Sequence, residues 1–334
     1  MSIARFPIDV ARFARLLNRA DPDIVHVHDD RSMLVAAAAT RLRPVPALVR
    51  TYHSLTGARA AGRGRVGRAV LALGDKVAGF VARRSLDHGV AFTEAGCSDV
   101  LRRYGLRTDT VSAVPNGVDI ERFKPLTANQ ARDRFREELG FGPTDVVFGT
   151  VGRLVTVKGH RILVDAFERV AREEPRVGLV LTGDGPLRDE LGAAVHAASA
   201  AARIRLLGQR RTDAKLYGSL DVFVYPSVAG AYGLVVLEAM ACGLPVVASR
   251  LQGTEELIAD GDNGLLVSPA DPGALATALL NLVRSAAERR RVGDQARRDA
   301  MQYSDTAMVE RYEALYRMLL DRPDPRRPAR GAGD

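Results

Sequence analysis

Two cysteines, no tryptophan and only 5% aromatic residues occur among the 334 positions of this chain. Cys97 and Cys242 lie far apart and match neither a metal-ligand nor a disulfide spacing. They read as packed thiols in a reducing cytoplasm. The scarcity of aromatics argues against base stacking, and no zinc finger or aromatic-interleaved basic motif is present. Nucleic acid is therefore not an expected partner, although the formal net charge is +8. That balance remains compatible with phosphorylated ligands or an anionic membrane surface. No run of about 18 apolar residues occurs, so no membrane-spanning helix is expected. The first nine residues hold a lone Arg5 and no apolar core of a secretory signal.

What is present is a normal globular balance, 46% hydrophobic and 26% charged, in a length suited to about two domains. The second half alternates short apolar runs with amphipathic helices. Strands are expected at 146–151, 178–182, 204–207, 222–225, 245–248 and 264–267. Helices are expected at 160–173, 186–198, 212–219, 233–241 and 254–259. Strands apolar throughout imply a parallel sheet covered on both faces, hence a doubly wound α/β domain. The first half offers helices at 9–19 and 32–41, strands at 24–27, 47–51, 89–92 and 110–114, and a basic, glycine-broken stretch with Arg59, Arg63, Arg65 and Arg68. A connection is expected at 119–143, between a partial first domain (1–118) and a second one (144–303). Helices follow at 272–285 and 287–301, then one at 304–321, and the Pro/Arg/Gly tail 322–334 reads as disordered.

Three segments carry chemistry. Gly152-Arg153-Leu154 with Lys158-Gly159 follows a strand and opens a helix. There, a guanidinium fork and a point charge suit a diphosphate, or are simply two surface cations at a turn. Gly183-Asp184-Gly185-Pro186 is a strand-to-helix turn that allows close ligand approach. Tyr232-Gly233-Leu234 begins a helix that runs to a closing Gly243, and its first amides and dipole form a natural phosphate site. Glu238 lies in this otherwise apolar helix. A ribose diol could satisfy both its oxygens, or a nearby arginine could pair with it.

Together these strings resemble the signature of retaining, GT-B-fold glycosyltransferases of family 4. The agreement runs through Pro115-Asn116-Gly117-Val118-Asp119, Gly152-Arg153-Leu154 with Lys158-Gly159, Gly183 to Pro186, Pro226-Ser227, Tyr232 to Val247 and Asn263 to Pro269. The likeness spans roughly residues 20–320 and implies two Rossmann-like domains, with the last helix crossing back to the first domain. It implies that Arg153 and Lys158 grip a donor diphosphate, helped by the amides of Gly233 and Leu234 beside Tyr232. Glu238 would hold the ribose, and Gly208-Gln209-Arg210 would border the base. His53 falls where the family places a histidine near the transferred sugar; otherwise it is a polar strand end. The implied activity is sugar transfer from a nucleoside-diphosphate sugar to a glycan, lipid or small-molecule acceptor with retention, without a metal cofactor. His26-Val27-His28 has a same-face spacing that a metal could use, but a polar strand end is the simpler reading.

Two departures stand out. The family carries glutamates separated by seven residues; Glu238 is the second, and Gly230 occupies the position of the first. By that likeness roughly 60 or more residues of β/α units, with a Gly-rich loop, are expected before residue 21 and are missing from this sequence, which would leave strand 24–27 as a free edge. A catalytically impaired nucleotide-sugar-binding remnant is therefore an alternative. A nucleotide-sugar epimerase is another, but no convincing acid–base pair stands out for it. Arg63, Arg65 and Arg68, with Val66, Val70 and Leu71, have the mixed character of a peripheral membrane helix, or of a solvated face.

Overall fold

The computed structural model describes residues 5–53, 65–126, 129–230 and 232–322. The chain divides into two compact units, one of residues Met1–Pro115 with Met308–Asp334 and one of Asn116–Ala307.

The first unit carries α1 (Phe6–Ala20), β1 (Ile24–Val27), α2 (Asp30–Leu42), β2 (Ala47–Tyr52), α3 (Arg65–Ser85), β3 (His88–Ala91), α4 (Glu94–Tyr104) and β4 (Val111–Ala113). Its four strands are parallel in the order β1-β2-β3-β4. β1 is an edge strand of this sheet. β2 and β3 are buried at every position, as an interior parallel strand requires. Helices α1, α2 and α3 bring Leu17, Met33, Ala36 and Ala82 against Val25, Val27 and Leu48. Most of the final helix, α13 (Asp305–Leu320), belongs to this unit; its Leu315 and Leu319 pack on Ala47, Val49 and Val90.

The glycine-broken stretch, whose basic and apolar residues suggested a helix, is a 21-residue helix from Arg65, because Ala78 and Ala82 bury against the sheet layer and outweigh glycine's poor helix propensity. One element differs from expectation. Residues 94–104, not assigned from periodicity, form α4. Thr93 caps it by accepting from the Gly96 amide at 2.9 Å, and Gly105 ends it in a left-handed conformation. The side chains of Arg59, Arg63, Arg65 and Arg68, and the tail beyond Arg322, lie outside the described residues.

The second unit holds α5 (Asn129–Glu138), β5 (Val146–Val151), α6 (His160–Glu173), β6 (Val177–Thr182), α7 (Arg188–Ala197), β7 (Ile204–Gly208), α8 (Ala214–Gly218), β8 (Val222–Tyr225), α9 (Leu234–Ala241), β9 (Val246–Ser249), α10 (Gln252–Leu257), β10 (Leu265–Val267), α11 (Pro272–Arg284) and α12 (Ala286–Ala300). Six parallel strands run in the order β10-β9-β8-β5-β6-β7. The sheet is wound outward from its centre in both directions, and the direction of winding reverses between β5 and β8. Ligands of open α/β sheets bind outside the carboxyl ends of the strands at such a reversal. α6 shows how the pattern makes the layer: Leu163, Val164, Phe167 and Val170 share one stripe, all are buried, and all pack on the sheet.

Residues 119–143 belong with this second unit. Arg136 of α5 is buried and ion-paired to Asp221 at 2.5 Å, and it donates to the carbonyls of Ser219 and Asp145. The remaining strands and helices fall within three residues of the expected bounds. The largest shift is at α1, which starts at Phe6 with Pro7 in its first turn, and α7 starts at Arg188 because 183–187 are taken up by the turn after β6.

Candidate active site

At the carboxyl end of β5 the chain is stitched to the turn after β6. The Gly152 amide donates to Thr182 O, the Leu154 amide to Asp184 O and the Leu187 amide to Leu154 O, all at 2.9–3.0 Å. Gly183 has φ +148°, and a Cβ there would stand 1.8 Å from Gly152 O. Only glycine lets the two turns approach this closely. The arrangement leaves the Arg153 side chain exposed, its guanidinium making no hydrogen bond or ion pair to any described residue, while its carbonyl accepts from the Val155 amide at 2.9 Å.

Lys158 closes the short 3₁₀ turn Thr156–Lys158, followed by Gly159 at φ +67°. A Cβ on Gly159 would lie 1.9 Å from Pro226 O, and the Val228 amide donates to Val157 O at 2.9 Å. The turns after β5 and β8 are thus locked together. The Lys158 ammonium consequently reaches the Tyr225 hydroxyl, donating to it at 3.1 Å. That hydroxyl lies 3.5 Å from where a side chain on Gly233 would begin. Gly233 is the extended residue that starts α9, and Leu234 follows with its side chain exposed. A cation and a helix amino terminus therefore meet around one tyrosine hydroxyl, a constellation suited to a diphosphate. Tyr225 was legible only as the end of a buried strand; nothing in its spacing marked it.

Glu238 sits one turn into α9 and is half-buried. Its Oε2 accepts from the Tyr217 hydroxyl at 2.5 Å. The arginine partner considered from sequence is not what holds it: Arg122 acts on it only through space, its guanidinium donating to Thr212 O instead. Burial pushes the Glu238 carboxyl above its ordinary value, while the Tyr217 hydrogen bond and then Arg122 pull it down. Tyr232 is buried, and its hydroxyl accepts from the Asn116 amide at 3.3 Å. Gly230 has φ +110°, and a Cβ there would meet nothing within 4 Å. Space exists for a side chain at this position, but the backbone conformation disfavours one. Gly208 accepts from the Gly183 amide at 2.9 Å, which ties the turn after β7 into the same edge, and Gln209 and Arg210 are exposed beside it.

His53 lies in the first unit, after β2. Its Nε2 is 3.2 Å from His28 Nδ1, and Phe92 packs edge-on at 5.1 Å. Burial, then the fields of His28 and Arg50, hold its pKa below the ordinary histidine value. His26 uses both ring nitrogens, on the Tyr316 hydroxyl at 2.6 Å and the Thr51 hydroxyl at 2.7 Å. Burial first, and then its two histidine neighbours, lower it to about 4. Among the described residues no group of three His, Cys, Asp or Glu side chains is arranged to hold a metal ion.

These features define a doubly wound domain with a diphosphate-suited edge, accompanied by a second parallel α/β unit. Residues 145–285 match the family described as glycosyl transferases group 1, and residues 1–122 match glycosyltransferase family 4. The chain is 35% identical over 280 residues to D-inositol 3-phosphate glycosyltransferase 2 of Catenulispora acidiphila, covering 78% of this chain and 62% of that protein. It is 34% identical to the D-inositol 3-phosphate glycosyltransferase of Xylanimonas cellulosilytica, covering 82% and 67%. The chain spans about three fifths of the length of the first of the curated relatives it matches. Among solved structures, Anabaena HepE in complex with UDP superposes with a TM-score of 0.81 at 25% identity, over 92% of this chain and 81% of that one. Sucrose-phosphate synthase from Thermosynechococcus elongatus superposes with 0.78 at 26%, over 94% and 78%. The chain belongs to the group 1, family 4 glycosyltransferases, and its two Rossmann-like units are those of the GT-B fold.

Proposed function

We propose that the chain transfers a sugar from a nucleoside-diphosphate donor to an acceptor hydroxyl with retention of configuration. The observation that carries this reading is the Lys158 ammonium on the Tyr225 hydroxyl beside the start of α9. Arg153 and Lys158 neutralise charge on the departing diphosphate as the glycosidic bond breaks, an electrostatic role that often dominates catalysis. The amides of Gly233 and Leu234 assist, with Tyr232 and Gly230 on the approach. Glu238 accepts from the ribose, Gly208, Gln209 and Arg210 border the base, and His53 serves the transferred sugar. A leaving-group oxygen takes the acceptor proton on the same face, so no side-chain base is needed. Two cations do what a metal would do, and no metal cofactor is invoked. Structures of HepE with UDP and UDP-glucose support a nucleotide sugar as the ligand. The acceptor is a glycan, a lipid or a small molecule, in cell-envelope or polysaccharide synthesis on the cytoplasmic side.

Lys158→Ala and Arg153→Ala are each expected to lower transfer from, or hydrolysis of, UDP- or GDP-sugars by about 10²–10³-fold. Full turnover in both variants would remove the assignment. Gly230 favours a second reading, a nucleotide-sugar-binding protein without turnover. Calorimetric binding of UDP- or GDP-sugars with no product formed would establish that instead.

Peripheral contact with anionic lipid is part of the proposal. Val77 and Phe80 of α3 are half exposed one turn apart, and the Arg84 guanidinium lies 4.6 Å over the Phe80 ring. No helix among the described residues is long and apolar enough to cross a membrane. Flotation with phosphatidylglycerol vesicles checks the contact. Phe80→Asp should abolish it, and wild-type protein left at the bottom of the gradient would end the idea.

A further inference from the structure

Tyr217 stands behind Glu238, and neither its spacing nor the resemblance singled it out. It lies on α8, whose first turn is capped by Asp213 accepting from the Leu216 amide at 3.0 Å. Its ring is fully enclosed, 5.8 Å edge-on to Phe123 and 5.7 Å from Phe223. The enclosed ring holds the hydroxyl in place, and the hydroxyl donates to Glu238 Oε2 at 2.5 Å. Burial, with the neighbouring carboxylate, pushes the phenol far above its ordinary value, so it remains a donor at any physiological pH. The other Glu238 oxygen accepts from no described residue.

We propose that Tyr217 is a positioning residue for nucleoside recognition: its phenol fixes one oxygen of the Glu238 carboxylate and leaves the other turned out for the vicinal hydroxyls of a ribose. This rests on the reading of Glu238 given above. The physical reason is twofold. A carboxylate at the end of a flexible glutamate side chain loses less freedom on binding when one oxygen is already anchored. A hydrogen bond to the ionised form also opposes the burial that favours the protonated acid, which could not accept from two hydroxyls in the same way. The other groups bearing on Glu238 are Arg122, a cation acting through space, and the buried Cys242 thiol at the end of α9. Burial raises that thiol to about 12, which leaves it uncharged.

The test is calorimetric titration of the 334-residue chain with UDP and with 2′-deoxy-UDP across pH 4–8. Wild-type protein should prefer the ribonucleotide and lose affinity as Glu238 protonates. Tyr217→Phe keeps the ring in its aromatic cage. It should weaken UDP binding roughly ten-fold, reduce the ribo-over-deoxy preference by a similar factor, and move the acid loss of affinity to higher pH. In a Glu238→Gln background the same change should add nothing. A Tyr217→Phe protein with wild-type preference and an unmoved acid limb would overturn the proposal, as would an equal loss in the Gln background. Wild-type protein that binds neither UDP nor GDP would instead remove the reading of Glu238 itself, and the proposal with it. Should Tyr217→Phe fail to fold, ¹⁹F spectra of 3-fluorotyrosine-labelled protein decide. One of the eight tyrosine signals should titrate with a carboxyl group in wild type and cease to do so in Glu238→Gln. No such signal would refute the contact.

Discussion

Replacing Gly159 by alanine tests whether the locked turns after β5 and β8 make the site. At φ +67° an alanine pays a left-handed penalty of about 1–2 kcal/mol. Its Cβ would also stand 1.9 Å from Pro226 O, where at least 3 Å is needed, so one turn must retreat by about an ångström. That movement breaks the Val228-to-Val157 hydrogen bond, at about 1 kcal/mol. The sum, roughly 2–3 kcal/mol, should lower the melting temperature of a unit of this size by about 5–10 °C. Retreat of either turn also carries Lys158 away from Tyr225, so affinity for UDP should fall by about ten-fold or more even where the protein remains folded. Gly192→Ala is the control. It sits in α7 with nothing within 4 Å of a new Cβ, and it should be neutral or stabilising by up to about 1 kcal/mol. Thermal unfolding and calorimetry on both variants are the assays. If Gly159→Ala melts and binds like wild type while Gly192→Ala does not, the turns are not rigidly coupled and the account of the site fails.

Arg136→Met should destabilise the second unit by about 3–5 kcal/mol, read by urea unfolding, because the Asp221 carboxylate keeps the Val147 amide but loses the guanidinium that balances its charge. A loss under 1 kcal/mol would mean that water replaces the guanidinium. His160 is buried, and its pKa is lowered to about 4, by burial first and then by Lys158. It is neutral when folded, so its contribution to stability is complete above pH 6.5 and is lost as pH falls toward 4, by about 3 kcal/mol. Melting temperature against pH should therefore fall less steeply over that window in His160→Asn; parallel curves would contradict the assignment.

The candidate-site strings of the second unit were legible because they are local. Gly152-Arg153, Lys158-Gly159, Gly183 to Gly185 and Tyr232 to Gly243 each follow a buried strand, and the alternation of strand and helix brings such turns to one sheet edge. Less was legible where tertiary contact overrides local preference. A helix with three glycines, at 67, 74 and 79, forms at Arg65–Ser85 because alanines on its face find a sheet to cover. Residues 119–143, which read as a connection, fold into the second unit because Arg136 finds Asp221, 85 residues away.

The sequence by itself determined the class of fold, the strand that precedes each turn, and the residue types offered at the sheet edge, since periodicity and glycine placement act over a few residues. Only the tertiary structure decided what those residues meet. Tyr225 under Lys158, Tyr217 behind Glu238 and the His26–Tyr316 contact join positions 67, 21 and 290 residues apart. Such pairings are set by how strands order themselves in a sheet and how helices cover it, and no short stretch of chain encodes that.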